Sequence, residues 1–170
     1  MPRSRPRLAV LASGAGSNLQ AILDASASGR LPADVVCVVT NRPEAFALTR
    51  AERAGVDTVV VESQPEEPRI DYDARLAAAV GGFQPDIVVL AGWMRILTMN
   101  FLGCFPNRVV NLHPALPGEL AGTQAIERAW AEALDGHRTR SGVMVHLVPD
   151  EGVDDGPVLA SRTVPIDTSG

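Results

Sequence analysis

Residues 7–40 read RLAVLASGAGSNLQAILDASASGRLPADVVCVVT, and this stretch decides the fold. The apolar run Arg7–Ala12 predicts a strand. A glycine-rich turn, Ser13 to Asn18, follows it. Ser17–Ser28 predicts a helix with Leu19, Ile22 and Leu23 on one face and Gly29 closing its end. Asp34–Thr40 is an unbroken β-branched run, as expected for a strand covered on both faces. Strand, helix and strand in that order build a parallel pair with a helix laid across it.

The same alternation continues outward. Glu44–Ala54 predicts a helix that stops at Gly55, and Asp57–Val61 a third strand. After the polar loop Pro65–Pro68, Arg69–Phe83 carries Tyr72, Leu76, Ala79, Val80 and Phe83 at helical spacing. Asp86–Leu90 and Arg108–Leu112 predict two more strands. Thr123–Asp135 predicts an amphipathic helix with Ile126, Ala129, Trp130, Ala133 and Leu134 as its apolar face. Gly142–Val148 and Pro157–Pro165 are strands too close together for a helical crossover, so an antiparallel finish is expected. The expected architecture is α/β: a Rossmann-like, mostly parallel twisted sheet of about seven strands with helices on both faces. One domain over residues 1–170 is expected, with the Arg/Pro-rich first six residues disordered.

Composition removes several classes of function. Fifteen Lys and Arg against 20 Asp and Glu leave a net charge of −5, against a general nucleic-acid binder. No apolar run reaches the ~20 residues that span a bilayer, and Leu8–Ala12 is too short for a signal-peptide core. All 15 basic residues are Arg, which excludes a Walker-type phosphate loop, a Schiff base or a pyridoxal enzyme. Cys37 and Cys104 read as two free, buried thiols, which suits a reducing cytoplasm.

Ligands bind such sheets beyond the C-terminal ends of the strands, and three loops there carry unusual chemistry. In Ser13-Gly14-Ala15-Gly16-Ser17-Asn18, the N–H groups of Gly16, Ser17 and Asn18 lie at a helix start, where an anion is favoured; read structurally, Ser17 is the N-cap. The dinucleotide fingerprint fails, because its third glycine falls on Leu19 and the second strand ends without an acid, so a phosphate monoester fits better. Asn111 and His113 are two apart on a strand and point the same way: an oxyanion donor beside a proton carrier. Asp150 to Pro157 is rich in acids and glycines, and one of its carboxylates can reach His113. Its spacing is not that of an EF-hand. His113, His146 and Asp154 likewise match no metal-ligand spacing, so no metal is expected.

Together, Gly16-Ser17-Asn18-Leu19-Gln20, Ala91 to Leu97, Asn111 to Gly118 and Asp154-Asp155-Gly156-Pro157 resemble the phosphoribosylglycinamide formyltransferase family of purine synthesis, in order and over nearly the whole chain. The resemblance implies formyl transfer from 10-formyltetrahydrofolate, as co-substrate, to the amine of glycinamide ribonucleotide. It implies that Gly16, Ser17 and Asn18 hold the phosphate end. Arg69, Met94, Arg95, Ile96 and Leu97 are implied on the folate side, with Asp150, Glu151, Gly152, Val153 and Asp154 as the loop over the pterin. Asn111, which also borders the folate, His113 and Asp154 match the family's catalytic set. The partners implied are small molecules, with no nucleic acid and no membrane, and a homodimer is left open.

The chain departs from that pattern in three places. Gln124 stands where relatives carry a His, Gly152 is an extra residue in the acidic loop, and relatives continue past Gly170 into a helix that holds the ribonucleotide. Sister enzymes, a formyl-folate deformylase or a methionyl-tRNA formyltransferase, share the Asn-x-His…Asp set. The alternative of another class is a catalytically impaired folate- or nucleotide-binding module. The third departure predicts weak ribonucleotide affinity for residues 1–170; isothermal calorimetry checks it, and tight binding would overturn it.

Overall fold

The computed structural model describes residues 4–170. Twelve elements follow one another: β1 (Arg7–Leu11), α1 (Ser17–Ala27), β2 (Asp34–Thr40), α2 (Phe46–Arg53), β3 (Thr58–Val60), α3 (Arg69–Gly81), β4 (Ile87–Leu90), α4 (Met99–Leu102), β5 (Val109–His113), α5 (Ala125–Leu134), β6 (Arg140–Leu147) and β7 (Val158–Pro165). The strands form one seven-stranded sheet in the order β3-β2-β1-β4-β5-β6-β7. Pairing is parallel from β3 to β5 and antiparallel for β5–β6 and β6–β7, which is the expected finish.

Strand alternation divides the core into two layers. Ala9 and Leu11 of β1 face one way and pack with Tyr72, Leu76 and Val80 of α3 and Phe101 of α4. Val10 and Ala12 face the other way and pack with Leu19 and Leu23 of α1 and Ala47 and Ala51 of α2. Helices therefore cover both faces, which is why β1, β2 and β4 tolerate continuous apolar sequence. Burial pushes the Cys37 thiol up to about 12, so it stays protonated and acts as a small core hydrophobe.

Several details differ from the sequence reading. Arg5 is anchored: its guanidinium donates to the carbonyls of Ser26, Leu31 and Ala33 and pairs with Asp34 at 3.1 Å. Order therefore begins inside the stretch expected to be disordered; residues 1–3 lie outside the described residues. Cys104 is exposed rather than buried. On α5 the buried row is Ala125, Ala129 and Ala133, while Ile126, Trp130 and Leu134 face outward. The alanines at i, i+4 and i+8 let the helix sit close to the protein, and periodicity alone cannot tell that row from its bulkier neighbour. The short α4 is absent from the sequence reading because four residues carry too little periodicity to show.

The strand order reverses between β1 and β4, so the loops after these strands flank a crevice at the sheet's C-terminal edge. One face of α3 steadies the second of them. Arg69 Nη2 donates to the Ile96 carbonyl at 2.8 Å, Tyr72 lies under the Arg95 guanidinium at 4.1 Å, and Asp73 accepts from Thr98 N (2.6 Å) and Oγ1 (2.8 Å). Tyr72 in turn donates its hydroxyl to the Val61 carbonyl, and burial pushes its phenol up to about 12. Asp73 is 2% exposed, so its two bonds form away from water. Asp73→Ala should therefore cost about 2–3 kcal/mol in urea titration, with Asp73→Asn losing less because it keeps an acceptor.

Candidate active site

The glycine loop opens the site. Gly16, not Ser17, stands at the N-cap of α1, with φ 76° and no side-chain cap. That corrects the reading of Ser17 as cap, and it leaves the first N–H groups of the helix without a capping side chain to accept from them. The loop's carbonyls are drawn the other way: Gly14 O accepts from Ala47 N at 3.1 Å, and Ala15 O accepts from Arg50 Nε at 2.7 Å. Donors remain on the open side, as an anion requires. Ser13 to Asn18, together with Arg42, Ala91, Gly92 and Met94, line a cleft of about 430 Å³.

Ser13 joins this loop to the next. Its Oγ donates to Asn41 Oδ1 (2.7 Å) and accepts from Met94 N (2.9 Å), and its N–H donates to Gly92 O (3.0 Å). Beyond Met94 a second cleft of about 560 Å³ opens, and the two clefts share Asn18, Gly92 and Met94. Of the residues anticipated from the sequence, Met94, Arg95, Ile96, Leu97, Asn111, His113, Asp150, Gly152, Val153 and Asp154 line this larger cleft. Arg69 and Glu151 do not. Arg69 braces Ile96 from α3, and Glu151 Oε1 accepts from Met99 N at 3.1 Å, tying the acidic loop to the start of α4. Both hold the walls that the other residues form.

At the floor of the cleft the polar groups converge. Asn111 and His113 point to the same side of β5, as alternation requires. Asp154, with φ 53° in the β6–β7 loop, reaches both. Asn111 Nδ2 donates to Asp154 Oδ1 at 3.1 Å, and His113 Nδ1 lies 3.4 Å from Asp154 Oδ2. His146 completes the group: the β5–β6 register sets it opposite Asn111, with Nε2 3.1 Å from Asn111 Nδ2 and 3.4 Å from Asp154 Oδ1.

The backbone fixes the ring protons. Leu120 O lies 2.9 Å from His113 Nε2, and Leu147 O lies 2.9 Å from His146 Nδ1. A carbonyl only accepts, so His113 carries a proton on Nε2 and His146 one on Nδ1. The nitrogen of His113 facing Asp154 is then Nδ1. His146 Nε2 is an acceptor for Asn111, whose two N–H bonds are shared between it and Asp154.

Strand alternation alone could not have found His146. The signal lies in register, since an antiparallel finish brings one residue of β6 against Asn111, but letters do not say which one. The three groups that sequence spacing did not link, His113, His146 and Asp154, meet here: Asp154 lies 3.4 Å from each ring, and Asn111 hydrogen-bonds both Asp154 and His146. Among the described residues no cluster of His, Cys, Asp or Glu is arranged to hold a metal ion. No described helix is long and apolar enough to cross a membrane.

Comparison with known proteins agrees with this architecture. Residues 6–170 match the formyl transferase family. The chain belongs to that family. This formyltransferase is 44% identical to phosphoribosylglycinamide formyltransferase of Schizosaccharomyces pombe, over 94% of this chain and 82% of the relative. It is 43% identical to the enzyme of the same name from Mycobacterium tuberculosis, over 98% of this chain and 74% of the relative. Among solved structures, glycinamide ribonucleotide transformylase 1 from Symbiobacterium toebii superposes with a TM-score of 0.87 at 40% identity, covering 95% of this chain and 74% of that one. The resemblance drawn from the four sequence segments is met, as is the expected enzyme class.

Gly16 offers a test of the loop. A Cβ there would lie 2.9 Å from both Cα and Cβ of Ala47, at a φ that side chains resist, whereas Gly14 has open space around it. Gly16→Ala should cost about 1–3 kcal/mol in urea titration, and Gly14→Ala less than about 1 kcal/mol.

Proposed function

We propose that this formyltransferase moves a formyl group from 10-formyltetrahydrofolate to the amine of glycinamide ribonucleotide. The observation that carries the reading is the meeting of Asn111, His113 and Asp154 beside a cleft continuous with the glycine-loop cleft. A ligand with a phosphate at one end and a nucleophile at the other fits that continuity. Gly16, Ser17 and Asn18 would receive the phosphate, and the amine would lie over Asn111 and His113.

The larger cleft suits a folate. Met94, Ile96 and Val153 are exposed apolar side chains along it, and Leu97 is buried behind them. Trp93 Nε1 also belongs to this wall and is a buried donor with no partner. A flat heterocycle with apolar faces and acceptor atoms on its edge matches such walls. Asp150 to Asp154 forms the rim, with Glu151 as its tether.

The chemistry then follows from the protons. The amine nitrogen bonds to the formyl carbon, whose oxygen gains negative charge, and the bond from that carbon to the folate nitrogen breaks. His113 Nδ1, when protonated, and Asn111 Nδ2 donate to the developing oxyanion. Asn111 can do so by releasing one of its two acceptors. His146 Nε2 is neutral and Asp154 is charged, so the bond to His146 is the weaker and yields first. The amine's proton passes toward Asp154, and a proton is delivered to the departing folate nitrogen, with His113 and Asp154 as the exchange pair.

Removing one oxyanion donor typically costs about 100- to 1,000-fold in rate, so Asn111→Ala should lose kcat on this scale. Asp154→Ala removes one member of the proton-exchange pair and should lose about 100- to 10,000-fold in kcat, with KM changed by less than about fivefold in both variants. Steady-state kinetics near wild-type values would refute the assignment. Folate release measured with and without the ribonucleotide decides the reaction class. Turnover only with ribonucleotide supports this reading, turnover with water alone a deformylase, and none a binding module.

A further inference from the structure

The loop between β5 and α5 meets both members of the exchange pair with its backbone. The Leu120 carbonyl accepts from His113 Nε2 at 2.9 Å, and two residues later the Gly122 N–H donates to Asp154 Oδ2 at 2.8 Å. Neither contact involves a side chain of the loop, so the position of the backbone decides both.

That backbone is held in an unfavourable shape. Leu120 (φ 46°), Gly122 (φ 88°) and Gln124 (φ 57°) all lie in the left-handed region, and two of the three carry side chains. Left-handed conformation costs a residue with a Cβ roughly 1–2 kcal/mol and persists only where the surroundings enforce it. Gln124 at the N-cap of α5 supplies no side-chain cap. Arg128, one turn into α5, binds that stretch directly. Its Nη2 donates to Leu120 O at 2.9 Å and to Ala121 O at 2.7 Å. Its guanidinium has no carboxylate partner among the described residues, and its Nε is buried without one. The Leu120 carbonyl thus takes one donor from Arg128 and one from His113, which uses both of its lone pairs.

We propose that Arg128 is a positioning residue for formyl transfer: by clamping the Leu120 and Ala121 carbonyls, it fixes the loop that pins the Nε2 proton of His113 and aligns Asp154. The inference rests on the roles given above to His113 and Asp154. Asp154 faces His113, with His146 on the other oxygen of that carboxylate and Glu127 and Asp150 elsewhere along the cleft wall, and Arg128 reaches His113 only through the shared carbonyl.

Two readouts on the full chain test it. The first is steady-state kinetics of Arg128→Met and Arg128→Lys. Misplacing a reacting group by about 1 Å costs up to about 100-fold, so Arg128→Met should lower kcat by about 10- to 100-fold. KM for the ribonucleotide should stay within about twofold, since no binding contact is removed, and Arg128→Lys should recover part of kcat. The second is nitrogen NMR of protein labelled at histidine. In the wild type His113 should carry its proton on Nε2; in Arg128→Met it should become a mixture of tautomers, with His146 unchanged. Arg128→Met with wild-type kcat, or a loss of kcat with the His113 tautomer intact, would overturn the inference. Should Arg128→Met fail to fold, Arg128→Lys decides by the same two readouts. A wild type without formyl transfer would sink the functional reading but leave the NMR outcome to judge the clamp.

Discussion

A carboxylate taken out of water has to be met by hydrogen-bond donors, and two separate parts of the chain bring donors to Asp154. Asn111 donates from β5 and Gly122 from the loop before α5, while the His113 and His146 rings, from β5 and β6, each stand 3.4 Å from it. Its side chain is only 10% exposed, so each missing donor would leave charge uncompensated in a poorly polarisable place. This requirement explains why the β6–β7 loop folds inward although it consists largely of acids and glycines. It also explains why Asp154 accepts a left-handed backbone, which Asp tolerates better than most residues. The carboxylate is the knot, and the chemistry of the cleft is tied around it.

The sheet supplies the rest by placing loops rather than by contributing atoms. Reversal of strand order at β1 and β4 leaves room for the glycine loop and the Met94–Leu97 segment to stand side by side. Ser13 then locks them together with one donated and one accepted bond at Oγ. On the opposite side α3 grips the same segment with three residues of one face, Arg69, Tyr72 and Asp73. A loop that must offer apolar side chains to a ligand cannot bury them in its own core, so it is anchored through its backbone instead. Met94, 61% exposed, and Ile96, 51% exposed, are the visible result.

Much of this is legible in the letters, because it depends on local pattern. The β-branched run at Asp34–Thr40, the glycine turn and the Asn-x-His pair each follow from periods of two and 3.6 or from the needs of a tight turn. What escapes depends on partners distant in sequence. His146 enters the site through strand register, and Arg128 through a loop in which Leu120 and Gln124 are left-handed although no propensity foretells it. Arg69 and Glu151 are in the right neighbourhood, but their reach is spent on the carbonyl of Ile96 and the amide of Met99. The outward face of α5 is a similar case. Both its small and its large apolar rows fit a helix, and only packing against the sheet selects the alanines.

The two clefts meet only where Asn18, Gly92 and Met94 line both. In the proposed function one end of that passage receives an anion through backbone amides, and the other ends at an imidazole and an amide. Under that proposal selection falls on reach, with the passage as a gauge. A guest too short leaves one end unfilled, and a guest too long cannot place its nucleophile.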